Sequence, residues 1–203
     1  MEGAMRRTLM AAALALCAFP ALAAAPLDLL FETPHMRAVP AGETLRYAHV
    51  RAADPALGVG PDFRQVIALE MGPTQAARFT LDAEGAARVY PVADGVPGNP
   101  LLMVFLENTL RTMANVTGGS AFYLRNRIRF ALRDGIVAGD DGALTIHPFE
   151  NDPNRAKMAA FGDLEMRFEV SEDRPGMIVA LRARAGDAAR PAYLEEIRLE
   201  NAR

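Results

Sequence analysis

The chain is 203 residues long and 51% hydrophobic, with 22 basic and 25 acidic residues and a formal net charge of −3. A chain of this length can bury a core without cross-links, and its mildly acidic balance makes nucleic acid an unexpected partner. Its one cysteine is Cys17, so everything after it is without disulfides, thiol nucleophiles or cysteine metal ligands.

Met5-Arg6-Arg7 precedes an apolar run from Leu9 to Leu22, and Ala21-Leu22-Ala23 is an A-x-A cleavage site. This is the pattern of a bacterial secretory signal peptide over residues 1–23. The residues flanking Arg6-Arg7 do not extend to a twin-arginine motif, and Leu16 before Cys17 is too large for a lipoprotein site. Cleavage after Ala23 is expected to leave residues 24–203 as a single exported domain, in the periplasm or, alternatively, secreted. No later apolar run reaches membrane-spanning length, so no transmembrane segment is expected in the mature chain.

Residues 26–42 read as extended, because Pro34 and Pro40 interrupt any regular helix. The N-terminal strands are expected over residues 43–92. Residues 43–51 place Leu45, Tyr47 and His49 on one face and Arg46, Ala48 and Val50 on the other. A Gly/Pro-rich loop over 52–62 leads to a second strand, 63–71, with Ile67, Leu69 and Met71 on one side. Residues 78–82 alternate as a half-buried strand does, and 87–92 returns as its hairpin partner after Asp82-Ala83-Glu84-Gly85. Residues 94–100 form a Gly/Pro linker.

A helical insert follows over residues 99–135. Asn99 is an N-cap and Pro100 suits the first helical position, where its missing N–H leaves nothing unsatisfied. The first helix is apolar nearly all round in its opening turns, as a buried helix is. Glu107 and Arg111 stand four apart on its polar edge. Thr117-Gly118-Gly119-Ser120 ends it and restarts a second helix, with Ser120 as cap. That helix, 121–133, carries a narrow stripe of Leu124, Ile128 and Leu132, and Arg125, Arg129 and Arg133 at intervals of four. The arginine stripe reads either as a surface for anionic lipid or an acidic partner, or as a solvated face that complements the helix dipole.

The C-terminal strands are expected over residues 136–200. Gly139-Asp140-Asp141-Gly142 turns one short hairpin. Residues 147–155 form a polar loop, and 157–161 a single helical turn. Residues 164–171 alternate most cleanly, with Leu164, Met166, Phe168 and Val170 inward and Glu165, Arg167 and Glu169 outward. Residues 177–185 and 193–200 complete the set, the last with Tyr193, Ile197 and Leu199 inward.

These elements give an α+β class: a curved antiparallel sheet of about eight strands, half-barrel-like, packed over the central two-helix insertion. In element order this resembles the curved-sheet periplasmic lipoprotein carriers of the LolA/LolB type. No motif matches them residue by residue, so the resemblance carries over no functional residue.

Catalytic chemistry has little footing in the sequence. His35, His49 and His147 lack metal-ligand spacing, and the acidic loops lack a calcium-loop pattern. Serine occurs only at Ser120 and Ser171, neither in a G-x-S-x-G setting. Gly58-Val59-Gly60 runs into Pro61 and is no phosphate loop, so neither a metal nor a cofactor is expected. Glu195 and Glu196 point to opposite faces of a strand and cannot act on one bond. His147, Glu150 and Asp152 are candidates for a recognition loop at the rim of the sheet, where turn chemistry alone also accounts for them.

The leading expectation is therefore a non-catalytic binding or carrier module for an apolar or lipid-like ligand. The ligand would lie against Leu102, Phe105, Leu106, Met113, Met166 and Phe168, in a chain with ten methionines, of which Met1, Met5 and Met10 belong to the leader. An accessory subunit of a cell-envelope assembly, binding a partner protein, is the alternative, and a hydrolase without a recognisable motif the third reading. An enclosed apolar cavity favours the carrier. A filled core with an exposed apolar patch favours the accessory subunit, and a histidine–acid pair in a cleft favours the hydrolase.

Overall fold

The computed structural model describes residues 26–33, 39–72, 77–83, 86–92, 98–174 and 177–202. The expected signal peptide, with Cys17 and its cleavage site, lies outside these residues, as do His35 and the 93–97 part of the linker. Nine strands form one antiparallel sheet, open at both ends and curved as a half-barrel. In chain order they are β1 (Thr44–Ala53), β2 (Phe63–Met71), β3 (Ala77–Ala83), β4 (Ala86–Val92), β5 (Val137–Ala138), β6 (Leu144–Ile146), β7 (Glu165–Val170), β8 (Ile178–Gly186) and β9 (Pro191–Ala202). The spatial order is β4-β3-β2-β1-β9-β8-β7-β6-β5. The first and last strands are thus neighbours at the centre, and their pairing joins the two halves of the chain. Register shifts at Arg46/Tyr47, Glu169/Val170 and Ala185/Gly186 add local twist where the sheet bends.

The insert supplies α2 (Pro100–Thr117) and α3 (Ala121–Asp134). Asn99 caps α2 by accepting from Leu101 N–H at 3.0 Å, and Gly118 takes the left-handed position after it, at φ 64°. Ser120 precedes α3 as expected, but its side chain makes no capping bond. A further departure lies at the start: Pro26–Phe31 is a short helix, α1, where an extended segment was expected. Its proline occupies the first helical position, where it has no partner to lose, and Pro34 comes only after the end. The helical turn expected at 157–161 is a pair of 3-10 turns, Arg155–Lys157 and Ala159–Asp163.

The helix α2 packs on β8 and β9, and α3 packs on α2. Leu102, Phe105 and Met113 from the helix meet Met166 and Phe168 from β7 in one core, with none of these five more than 1% exposed. Phe105 and Phe168 touch edge to face, their ring centroids 6.0 Å apart. The outer face of the sheet is a lattice of ion pairs, Arg182–Glu196 at 3.3 Å and Arg184–Glu165 at 2.9 Å among them. Alternation along β7, β8 and β9 puts these charges outside and the apolar residues under the helix.

Candidate functional site

Polar residues interrupt the core at one place. On β1, His49 continues the inward series of Leu45 and Tyr47; on β2, Gln65 continues that of Ile67 and Leu69. On β9, Glu195 lies between Tyr193 and Ile197 on the same inward side. Register brings the three together: His49 pairs with Gln65 on one flank and with Ile197 on the other, one inward step from Glu195. His49, Glu195 and Tyr193 are fully buried.

Every group in this cluster has a partner. His49 Nε2 lies 2.8 Å from Glu195 Oε1, and Gln65 Nε2 lies 2.8 Å from His49 Nδ1. With Gln65 donating, Nδ1 accepts and the Nε2 side faces the Glu195 carboxylate, so both ring nitrogens are engaged. Glu195 Oε2 accepts from Tyr193 O–H at 2.5 Å and from Thr109 O–H at 3.3 Å. Burial, and next the adjacent Glu195 carboxylate, push the Tyr193 phenol well above its ordinary range. The Phe63 ring stands edge-on to the imidazole at 4.9 Å and screens that side of it.

A cleft of about 1080 Å³ opens over this cluster. One wall is a single stripe of α2, with Val104, Asn108, Arg111 and Asn115 at helical spacing; the other is Arg51, Phe63 and Leu81 from β1, β2 and β3. Gln65 and Glu195 belong to both the hydrogen-bonded cluster and the floor of the cleft, which Thr112 also lines. Gln65 gives one amide N–H to His49. The cleft therefore has a fixed polar base, apolar wall segments and guanidinium groups at its rim. Among the described residues no group of three or more His, Cys, Asp or Glu is placed to hold a metal ion.

The residues singled out from sequence lie elsewhere. Leu102, Phe105, Met113, Met166 and Phe168 are core, and Leu106 is half-buried against it; none of the six lines the cleft. Arg125 pairs with Glu107 at 3.3 Å and Arg133 with Asp134 at 2.7 Å. Arg129 and Arg133 border a smaller groove of about 440 Å³ between α1 and α3. His147 and Glu150 are exposed, whereas Asp152 is buried. Its carboxylate accepts from Tyr123 O–H at 2.7 and 2.8 Å, and from Asn154 N–H at 2.7 Å. Arg127 Nε stands 2.6 Å from its Oδ2, an ion pair whose N–H is not aligned on the oxygen. Asp152 thus clasps the 147–155 loop to α3, and the three loop residues do not converge on a site.

Sequence reasoning passed over Gln65 and Thr109, and weighed Glu195 only as a pair with Glu196. A signal for Glu195 was present: alternation that turns Tyr193, Ile197 and Leu199 inward turns Glu195 inward too. The chain matches no protein-family model and no curated protein sequence.

Proposed function

We propose that this is an exported, non-catalytic binding module, acting in the periplasm, whose ligand is a small molecule with an apolar body held in the cleft beside α2. The observation that carries the reading is the pairing of an open cleft of about 1080 Å³ with a polar floor whose hydrogen bonds are already made. Binding favours a rigid floor, because little ordering entropy remains to be lost when the ligand arrives. The core beneath α2 is filled at Leu102, Phe105 and Met113, so the ligand belongs in the cleft and not under the helix as first expected.

The test is native mass spectrometry of the mature protein, purified from a periplasmic fraction without detergent, beside a Val104→Trp variant that obstructs the cleft at its α2 wall. An extra mass carried by the parent, lost on denaturation and absent from the variant supports the reading. A clean apo mass in both proteins, or a ligand retained by the blocked variant, overturns it.

A hydrolase is the second reading, and one observation favours it: a histidine–carboxylate pair lies at the floor of a cleft, with Glu195 on the lining. Against it, both imidazole nitrogens and both carboxylate oxygens are engaged within the protein, so a proton exchange with substrate would have to displace one of these hydrogen bonds. Incubating the extracted ligand with fresh protein separates the two readings. Turnover abolished in Glu195→Gln supports the hydrolase, and recovery of unchanged ligand removes it.

A further inference from the structure

Three arginines line the cleft, and they differ in their partners. Arg111 pairs with Glu107 at 3.0 Å and Arg64 with Glu200 at 3.6 Å. Arg51 pairs with no carboxylate among the described residues. One of its terminal N–H groups donates to the Pro61 carbonyl at 3.0 Å, and its guanidinium carbon sits 4.7 Å from the centre of the Phe63 ring. Those two contacts orient the group, and among the described residues they use one of its five N–H donors. A fixed guanidinium fork with free donors has the geometry that a carboxylate fills bidentately.

The three acids that line the cleft are committed elsewhere. Asp62 accepts from Ala53 N–H at 3.0 Å. Glu195, directly opposite Arg51 in the β1–β9 register, is taken by His49, Tyr193 and Thr109. Glu107 is held by Arg111 and Arg125. The apolar side chains of the cleft, Leu81, Val104 and the 65% exposed Met103, complete an amphiphilic lining.

From this arrangement we infer that the cleft takes a carboxylate-bearing amphiphile, with its head group on Arg51 and its apolar body along Leu81, Met103 and Val104. The inference rests on the cleft reading above and specifies its ligand class.

The probes are octanoate, octan-1-ol, octylamine and octyl phosphate, titrated into the mature protein by calorimetry and by amide chemical-shift mapping. Octanoate is expected to bind with shifts at Arg51, Phe63 and Val104. It should bind about tenfold more tightly than octan-1-ol, the increment of one charge-assisted contact, and octylamine should be weakest. Arg51→Gln should remove that advantage, Arg51→Lys should keep part of it, and Arg190→Gln, an exposed control, should leave it intact. Melting curves of each variant show whether it is folded.

Octan-1-ol binding as tightly as octanoate, or an undiminished octanoate affinity in folded Arg51→Gln, overturns the carboxylate assignment and leaves the cleft reading standing. Octyl phosphate exceeding octanoate overturns it in favour of a phosphate head. No cleft shift with any of the four probes overturns it outright, and the Val104→Trp mass measurement then judges the cleft reading on its own.

Discussion

Two buried acids, Asp152 and Glu195, solve the same problem in different ways. Asp152 faces α3, where Tyr123, Asn154 N–H and the Arg127 guanidinium surround it. Its surroundings are short-range in sequence: all four residues lie within 123–154. Glu195 sits on the central strand of the sheet, and its partners come from β1 and α2 as well as its own strand. Among the described residues no arginine pairs with it; its ring of donors is one imidazole, one phenol and one threonine hydroxyl. The first acid pins a loop and borders neither described cleft, whereas the second forms the floor of the larger one. A buried acid held by a cation and a main-chain N–H is complete in itself. The other is held by donors drawn from three elements and stands at the base of an opening.

The largest effect should come from Glu195→Ala, which strips three buried donors of their acceptor at once. A loss of about 4 kcal/mol is expected, read from the urea midpoint of the mature chain. Asp152→Asn keeps the shape but weakens the clasp, and should cost about 2 kcal/mol while leaving ligand uptake by the cleft unchanged. If Asp152→Asn empties the cleft as Glu195→Ala does, the contrast between the two acids fails.

Tyr193 sharpens the comparison through pH. Its raised ionisation means that the unfolded chain loses the phenolic proton first. The Tyr193 contribution is therefore intact below the ordinary tyrosine value, about pH 10, and declines as pH rises above it. Tyr193→Phe should cost about 1 kcal/mol at neutral pH, and its stability should fall less steeply than the parent's in unfolding curves above pH 10.

The smallest effect belongs to an exposed acid. Glu107 is held below the usual carboxylate range by its hydrogen bond to Arg111, then by Arg125, but it stands on the surface of α2. Its contribution is present above the ordinary carboxylate value and is lost as pH falls below it. Glu107→Gln should change stability by only a few tenths of a kcal/mol, and added salt should erase the difference.

Local rules in the sequence determined most of the fold. Alternation at Leu45-Tyr47-His49 and Leu164-Met166-Phe168 gave strands and their inward faces, and Asn99-Pro100 with Gly118 bounded α2 to within a residue. Those signals depend only on backbone period and on caps, which neighbouring residues set. The short helix at Pro26 was missed, because proline was read as a breaker where its position made it a starter. The candidate site was legible only in fragments, as polar residues at inward positions: His49, Gln65 and, by parity, Glu195.

That the three meet was decided by the tertiary structure alone. His49 and Glu195 are 146 residues apart and become neighbours because the first strand pairs with the last. Strand order and register are set by how the whole sheet buries its apolar face, a sum over contacts distant in sequence. The same reason places Leu102, Phe105 and Met113 in the core: helical period declared them buried, and only the packing against β7 determined what they are buried against.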